Sequence, residues 1–337
     1  MKTVWTFTRR LCLLGALLLA GTSAHAEPQP VTLLMPAPPN LPGFAPWVIA
    51  REKGYYRRLG YDVELVAAKG GADVAKQVGS GNALFGVGNG DTPIIVRGNG
   101  VPVKTVALLG QYPHTLLALD PARHIRSVQD LKGKTVTVMS YSDSMYYTLL
   151  ATLRAAGIDR SQVNIQAAGP AGVWQLFAEG KADAMAGSAD WVVNIQESGR
   201  PLELLPREQL FDAMSQAVIA SDQAIAEHPQ AVQAIVSGTL QAMHDILTDP
   251  AAAAQVFARA VPAYAGKEDK VRRCFDLYIE RIYGHQARLG EIDPARVAKS
   301  RDFYASEGML THAEPLDHYY TNRFVEQAGA SLARAAP

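Results

Sequence analysis

GNALFGVGNGD, residues 81–91, has an echo 99 positions later in GKADAMAGSAD, residues 180–190. Glycine opens both stretches, alanine follows two residues on, and aspartate closes both. Each copy sits in the same setting: a helical pattern, a glycine turn, a short apolar strand, a second turn, then a helix starting near the aspartate. Open α/β sheets bind ligands beyond the carboxyl ends of their strands. Two such units facing each other would deliver two small-residue turns and two helix N-termini to one cleft.

The surrounding sequence carries the same alternation. VTLLM (31–35), YDVELV (61–66), ALFGV (83–87) and VKTVALL (103–109) read as strands, with helices near 44–52, 72–78 and 92–97 between them. TLLALD (115–120) begins a second run, continued by strands at 134–139, 163–168 and 182–187 and helices at 144–156, 173–178 and 191–196. PLELLP and SQAVIA (215–220) are the last strands, and the chain beyond Ser221 is helical. Short strands alternating with helices predict two α/β lobes with largely parallel sheets.

The first 26 residues read as a secretory leader: Lys2, Arg9 and Arg10, then an apolar run from Leu11 to Ala20, then Ala24-His25-Ala26. Thr8-Arg9-Arg10 hints at twin-arginine export, but so apolar a run suits the general route. The reading predicts a soluble exported product beginning near Glu27. Removing the leader takes three of the 32 basic residues and none of the 32 acidic ones, leaving a formal charge of −3 (29 − 32). A nearly neutral chain has no general attraction to nucleic acid or anionic lipid. Only Cys274 remains beyond the leader, so no internal disulfide is expected, and its apolar setting reads as a packed thiol.

The strand ends supply the candidate ligand contacts. They are Asn40 and Phe44 after the first strand, Gly70-Gly71 after the second, Asn89 and Asp91 after the third, and Tyr112 and His114 after the fourth. In the second run they are Ser142, Asp143 and Ser144 in the turn SYSDS, then Ser188, Asp190 and Trp191. Helix N-termini with glycine or serine suit acceptor-rich groups, though serine and aspartate also cap helices there. The aromatics Phe44, Trp47, Tyr112, Tyr141, Tyr146, Trp174 and Trp191 suit a flat ring, and the aspartates suit a ligand amine or amide.

Enzyme signals are poor. Gly86-x-Gly88-x-x-Asp91 lacks the small third residue of a dinucleotide turn, and there is neither a GxxxxGK[ST] loop nor a GxSxG turn. His312 and His318 do not make a metal site by spacing. No cofactor and no metal are expected.

Several stretches together resemble a known family. WVIAREKGYYRRLGYDVELV, GGADVAKQVGSGNALFGVGNGD, IRSVQDLKGKTVTV, LRAAGIDRSQVNIQ and LFAEGKADAM are similar to the periplasmic substrate-binding proteins of ABC importers, in the group handling thiamine-pyrimidine precursors, sulfonates, taurine and nitrate. The resemblance covers roughly residues 31–215. It implies a type II periplasmic binding fold, two lobes joined by two crossings near 112–117 and 214–220. One lobe would comprise 27–113 with 216–337, the other 114–215. It further implies a monomer that closes on a small molecule, without catalysis, and hands it to an inner-membrane permease with its ATPase. By position it carries contacts to Phe44, Gly71, Asn89, Tyr112, Ser142, Asp143 and Ser188. A pyrimidine-like or other heteroaromatic ligand is the first expectation, and a sulfonate or taurine-type anion the second. SADWVVN keeps the tryptophan of many relatives but not their acidic-proline pair. The eukaryotic pyrimidine synthases of this fold use a cysteine-rich motif that a single remaining cysteine cannot make, which leaves an enzyme on the same fold as the third expectation.

Overall fold

A computed structural model describes residues 27–284 and 286–335. The leader read at residues 1–26 lies outside them. Among the described residues, ten strands form two five-stranded sheets. They are β1 (Gln29–Met35), β2 (Tyr61–Ala67), β3 (Phe85–Asn89), β4 (Val103–Leu108), β5 (Leu116–Leu119), β6 (Thr135–Val138), β7 (Asn164–Ala167), β8 (Ala184–Gly187), β9 (Glu203–Leu204) and β10 (Gln216–Ser221). The first sheet runs β2-β1-β3-β10-β4 and the second β7-β6-β8-β5-β9.

The two orders are one topology used twice. β1 pairs in parallel with β2 and β3, as β6 pairs in parallel with β7 and β8. β10 enters the first sheet antiparallel beside β3, and β5 enters the second antiparallel beside β8. β3 and β8, the strands of the two echoed stretches, therefore hold the same central position. Each sheet is thus largely parallel with one antiparallel strand inserted. The physical reason is that the chain crosses between sheets twice, and each arriving strand inserts against the direction of its neighbours.

Both faces of each sheet are covered, as the apolar strands require. Leu33 and Met35 of β1 face one cluster, with Trp47 of the helix Ala45–Glu52 and Ile235 of the helix Pro229–Thr248. Leu34 between them faces the other, with Val74 and Val78 of the helix Gly71–Gly79. In the second sheet Leu117 and Leu119 pack with Leu149 and Leu153 of the helix Ser144–Ala155, while Leu116 and Ala118 face the cluster that continues into the first sheet. This period of two, with both sets buried, sets the register: a one-residue slip would exchange the two packed faces.

After β10 the chain is helical. The helix Glu268–Tyr278 buries Val271, Cys274, Phe275 and Tyr278 on one face, and Cys274 is a free, buried thiol as its setting suggested. It runs into a wide π-type turn, Ile279–Tyr283. That turn reaches the first crossing: Gln111 N donates to Tyr283 O at 2.8 Å and Tyr112 N to Ile282 O at 2.9 Å. No described helix is long and apolar enough to cross a membrane.

Candidate functional site

The carboxyl ends of β1 and β3, the start of β10 and the ends of β6 and β8 converge on one cavity between the sheets. Counted together with its opening to solvent, its empty space is about 450 Å³. The turn after β1 contributes Pro36, Ala37, Leu41, Gly43 and Phe44. β3 contributes Val87, Gly88 and Asn89, and β10 contributes Gln216. From the second sheet come Met139, Asp143, Ser144, Met145, Ser188, Asp190 and Trp191. His114 enters from the first crossing and Tyr278 from the C-terminal helices.

Seven of the twelve residues proposed from sequence line this cavity: Phe44, Asn89, Asp143, Ser144, Ser188, Asp190 and Trp191. Asn89 and Ser188 are the same position of the echo. Gly71 and Ser142 lie instead in the seam where the two halves meet. Ser142 Oγ donates to Lys69 O, Ala72 N donates to Ser142 O at 3.1 Å, and a Cβ on Gly71 would stand 2.1 Å from Ser144 Oγ. Asp91 and Tyr112 sit at the crossings. Asp91 Oδ2 accepts from Met214 N at 2.5 Å, and the Tyr112 ring lies 3.6 Å from the Arg207 guanidinium carbon. Asn40 is exposed on the turn after β1. Of the aromatics, Phe44 and Trp191 face the cavity; Trp47 is fully buried in the core and Tyr141 is half exposed.

Tyr278, Gln216, Met139 and Met145 were not among the sequence candidates. Gln216 had a signal, as a polar residue opening an otherwise apolar strand. Tyr278 had none, because on its helix it shares the apolar stripe of core residues.

Rings and thioethers dominate the wall. His114 stacks on Tyr278 with centroids 5.8 Å apart and planes at 18°, and Tyr278 stacks on Tyr283 at 5.3 Å. Trp191 and Phe44 add further aromatic surface, and the two methionines are soft enough to follow the outline of a ring.

The polar atoms divide into two sets. Asp190 Oδ1 is satisfied, accepting from Ser188 Oγ at 2.6 Å and from Tyr278 OH at 2.7 Å. In contrast, Asn89 Nδ2, His114 Nδ1, Asp143 Oδ2, Trp191 Nε1 and Gln216 Oε1 are buried without a hydrogen-bond partner in the protein. All five side chains are more than nine-tenths buried. Buried polar groups are almost always paired, and these five lining one cavity are open to a bound molecule.

Burial also moves the titrations. The Asp143 carboxyl is pushed up to about 7, burial outweighing the backbone N–H groups of Met145 and Ser144 that favour its charge. Burial lowers His114 to about 3, so its imidazole is neutral. Asp190 is raised by burial against the opposing bonds from Ser188 and Tyr278. Among the described residues, no lysine or arginine lines the cavity. Among the described residues, no group of three or more histidine, cysteine, aspartate or glutamate side chains could hold a metal ion. His312 and His318 both approach Glu314, at 3.6 and 2.7 Å, far from the cleft in the sequence and absent from its wall.

Comparison with known proteins gives a consistent picture. The NMT1/THI5-like family model matches residues 41–253. The chain is 26% identical over 316 residues to the riboflavin-binding protein RibY of Chloroflexus aurantiacus, covering 91% of this chain and 89% of that one. It is 22% identical over 297 residues to the 4-amino-5-hydroxymethyl-2-methylpyrimidine phosphate synthase THI13 of Saccharomyces cerevisiae, covering 80% and 85% respectively. Among solved structures, the alkanesulfonate-binding protein SsuA of Xanthomonas axonopodis pv. citri superposes with a TM-score of 0.67 at 20% identity, covering 88% of this chain and 99% of that one. At that identity the likeness establishes the fold, the two-sheet architecture of periplasmic binding proteins.

Proposed function

Because the chain belongs to the NMT1/THI5-like family, we propose that it is the periplasmic solute-binding protein of an ABC importer. It acts as a monomer. It closes on a small heteroaromatic or pyrimidine-like ligand and delivers that ligand to an inner-membrane permease driven by its ATPase. The carrying observation is the cavity wall, which combines four rings, two methionines and five unpartnered polar atoms between the two sheets. Closure then needs no bond chemistry. It needs a ligand that satisfies those atoms in the closed state and not in the open one.

The likeness to SsuA favours a sulfonate or taurine-type anion as a second reading. The wall argues against it. A permanently ionised sulfonate would be desolvated beside Asp143 and Asp190 with no cationic side chain to meet it. The likeness to the yeast synthase favours an enzyme as a third reading. Its acid or base would be His114 or Asp143. Neither is hydrogen-bonded to a nucleophilic side chain in the described structure, so a binding role fits the wall better.

A thermal-melt screen tests the proposal with aminopyrimidines, riboflavin, thiamine, aromatic carboxylates, alkyl sulfonates, taurine and nitrate. A ligand at about 100 times its Kd adds roughly 2.7 kcal/mol, which shifts the melt of a chain this size by several degrees. A ring compound that shifts the melt, is recovered unchanged, and loses its effect in Trp191→Ala supports the reading. A shift with sulfonates alone would replace the ligand, and conversion of a bound compound would replace the receptor by an enzyme.

A further inference from the structure

A second cavity lies across the first crossing from the cleft. His114 lines the cleft, whereas its neighbours Pro113 and Thr115 line the second cavity. The crossing is thus the wall between the two, and the two linings share no residue. The remaining walls come from both sides of the molecule. Leu204, Leu205, Arg207 and Leu210 belong to the stretch that begins with β9, at the edge of the second sheet. Glu280 and Arg281 belong to the π-type turn of the helical region. Counted together with its opening to solvent, the empty space is about 1000 Å³.

This wall has an orphan of its own. Thr115 is 2% exposed, and its Oγ1 has no hydrogen-bond partner in the protein. Both arginines offer free donor edges beside it. The Arg207 guanidinium carbon lies 3.6 Å from the centre of the Tyr112 ring, which covers a face and leaves the N–H edge. Its ion pair with Glu208 is long, at 3.9 Å. Arg281 Nε meets Glu280 Oε1 at 3.0 Å, leaving its two Nη groups for another acceptor. The glutamate side chains are 76% and 63% exposed, the arginines 42% and 46%, so the guanidiniums are the more sheltered charges. Leucines and prolines supply the rest of the surface. A cation would be repelled by both guanidiniums. A neutral hydrocarbon would leave Thr115 and both forks unpaired. A small inorganic ion would leave the leucines uncovered. Planar guanidinium forks match a carboxylate.

We propose that this cavity is a second binding site, for an organic carboxylate with an aliphatic body, and that filling it favours the closed molecule. The carboxylate accepts from Arg207, Arg281 and the Thr115 hydroxyl, and the body covers Leu116, Leu204 and Leu210. The site stands by itself; only its effect on closure rests on the receptor reading above. Ala72 N donates to Ser142 O at 3.1 Å across the seam, so the cavity has the shape it takes when the halves are together. Opening the cleft turns one half about the crossings, and a crossing is this cavity's own wall. The gap between the Arg207 stretch and the Arg281 turn then changes, and a molecule fitted to the closed gap opposes that change. A ligand in the cleft and a carboxylate behind the crossing therefore strengthen each other, by the reciprocity of linked equilibria.

Octanoate is the probe, titrated calorimetrically into the processed protein, with octanamide, octylamine and acetate as controls. Octanoate is expected to bind, and octanamide at least about tenfold more weakly, because a neutral amide makes no charge-assisted bond to a guanidinium. Acetate should bind at least about a hundredfold more weakly, because it buries no chain. Arg207→Gln and Arg281→Gln should each weaken octanoate about tenfold, and Thr115→Val about threefold or more, with melting temperatures near that of the wild type. Trp191→Ala, in the cleft, should bind octanoate as the wild type does. Octanoate should also make the protein more compact in X-ray scattering. No binding of octanoate, equal binding of octanamide or octylamine, or binding retained in both arginine variants would overturn the site. Loss of octanoate binding in Trp191→Ala alone would do the same, by placing the probe in the cleft. Binding without compaction would overturn the link to closure. None of these results depends on a ring compound in the cleft, so the receptor reading stands or falls by its own screen.

Discussion

Tyr278 OH donates to Asp190 Oδ1 at 2.7 Å, joining a helix that follows β10 to the helix that follows β8. The bond spans the cleft. The same two helices meet again at their far ends, where Glu197 pairs with Lys270 at 2.6 Å and with Arg273. One seam therefore carries a buried hydrogen bond inside and a water-accessible ion cluster outside, and neither requires a ligand.

Tyr278→Phe keeps the ring stack on His114 and removes only the hydroxyl. Hydrogen bonds to charged groups contribute about 1.5–3 kcal/mol, so ligand affinity should fall about tenfold or more. Glu197→Gln removes the outer cluster, and partly exposed ion pairs contribute about 1 kcal/mol or less. Its effect should be smaller and should fade in high salt, whereas that of Tyr278→Phe should persist. Titrations at two ionic strengths separate the two. A Tyr278→Phe protein with wild-type affinity would show that the seam does not support the closed form.

Gly70 tests closure sterically. Its φ is +107°, and a Cβ there would lie 2.6 Å from Ser142 O, a backbone atom of the opposite half. The neighbouring Gly71 would meet Ser144 Oγ, the movable end of a side chain. Gly70→Ala should fold but scatter X-rays as a more open molecule and bind at least about a hundredfold more weakly. Gly71→Ala should lose less, because Ser144 can turn away. Equal affinities for Gly70→Ala and the wild type would show that the seam does not form in solution.

Much of this frame is legible in the chain, and the illegible parts share a cause. Both echoes are short apolar strands bounded by glycine, and local pattern suffices to place them on equivalent central strands. Asp91 and Asp190 look alike in sequence, each beside a helix start. In the structure Asp91 reaches across 123 residues of sequence to Met214 N, and Asp190 meets Tyr278 from 88 residues away. Partners that distant leave no mark in a local window. Gly70 and Gly71 pointed to a ligand at a helix N-terminus, yet their smallness serves close approach by the opposite half. Tyr278 ends the buried stripe of its helix, and that this residue emerges into a cleft depends on the packing of the helical region as a whole.

Acidity gives a cleaner reading of Asp143. In the folded protein it holds its proton up to about 7, against 3.8 ordinarily. Between those values the folded state binds more protons than the unfolded one. Its contribution to stability is therefore full below the ordinary value and is lost as pH rises through about 7. Asp91, raised to about 6, acts in the same direction. His114 acts oppositely: lowered from 6.5 to about 3, it contributes fully above its ordinary value and loses that contribution as pH falls. The wild-type profile mixes these with other shifted groups, Asp190 among them, but the difference between Asp143→Asn and wild type isolates one. Without ligand, the variant should gain melting temperature relative to wild type between about pH 4 and pH 8. A difference independent of pH would mean that Asp143 titrates alike in both states.

Arg296 governs both crossings from outside the cleft. Its Nη1 donates to Gln111 O at 2.7 Å on the first crossing, and its Nη2 donates to Ala213 O at 2.5 Å and to Asp212 Oδ1 at 2.9 Å on the second. One planar guanidinium thus binds the two hinge segments to each other and to the helix Pro294–Ser306. Lysine has the charge but not the fork, so Arg296→Lys cannot hold both segments at once. Leaving hinge carbonyls without their donors costs about 1–3 kcal/mol each. Arg296→Lys should therefore melt several degrees lower. Its crossings should exchange amide hydrogens faster at Gln111, Tyr112 and Met214, with the helix Pro229–Thr248 unchanged. Ligand affinity should weaken without any change at the cavity wall, because a looser hinge populates more open forms from which closure must start. Loss of protection spread evenly through both sheets would instead make Arg296 a general stabiliser of the fold, with no special hold on the hinge.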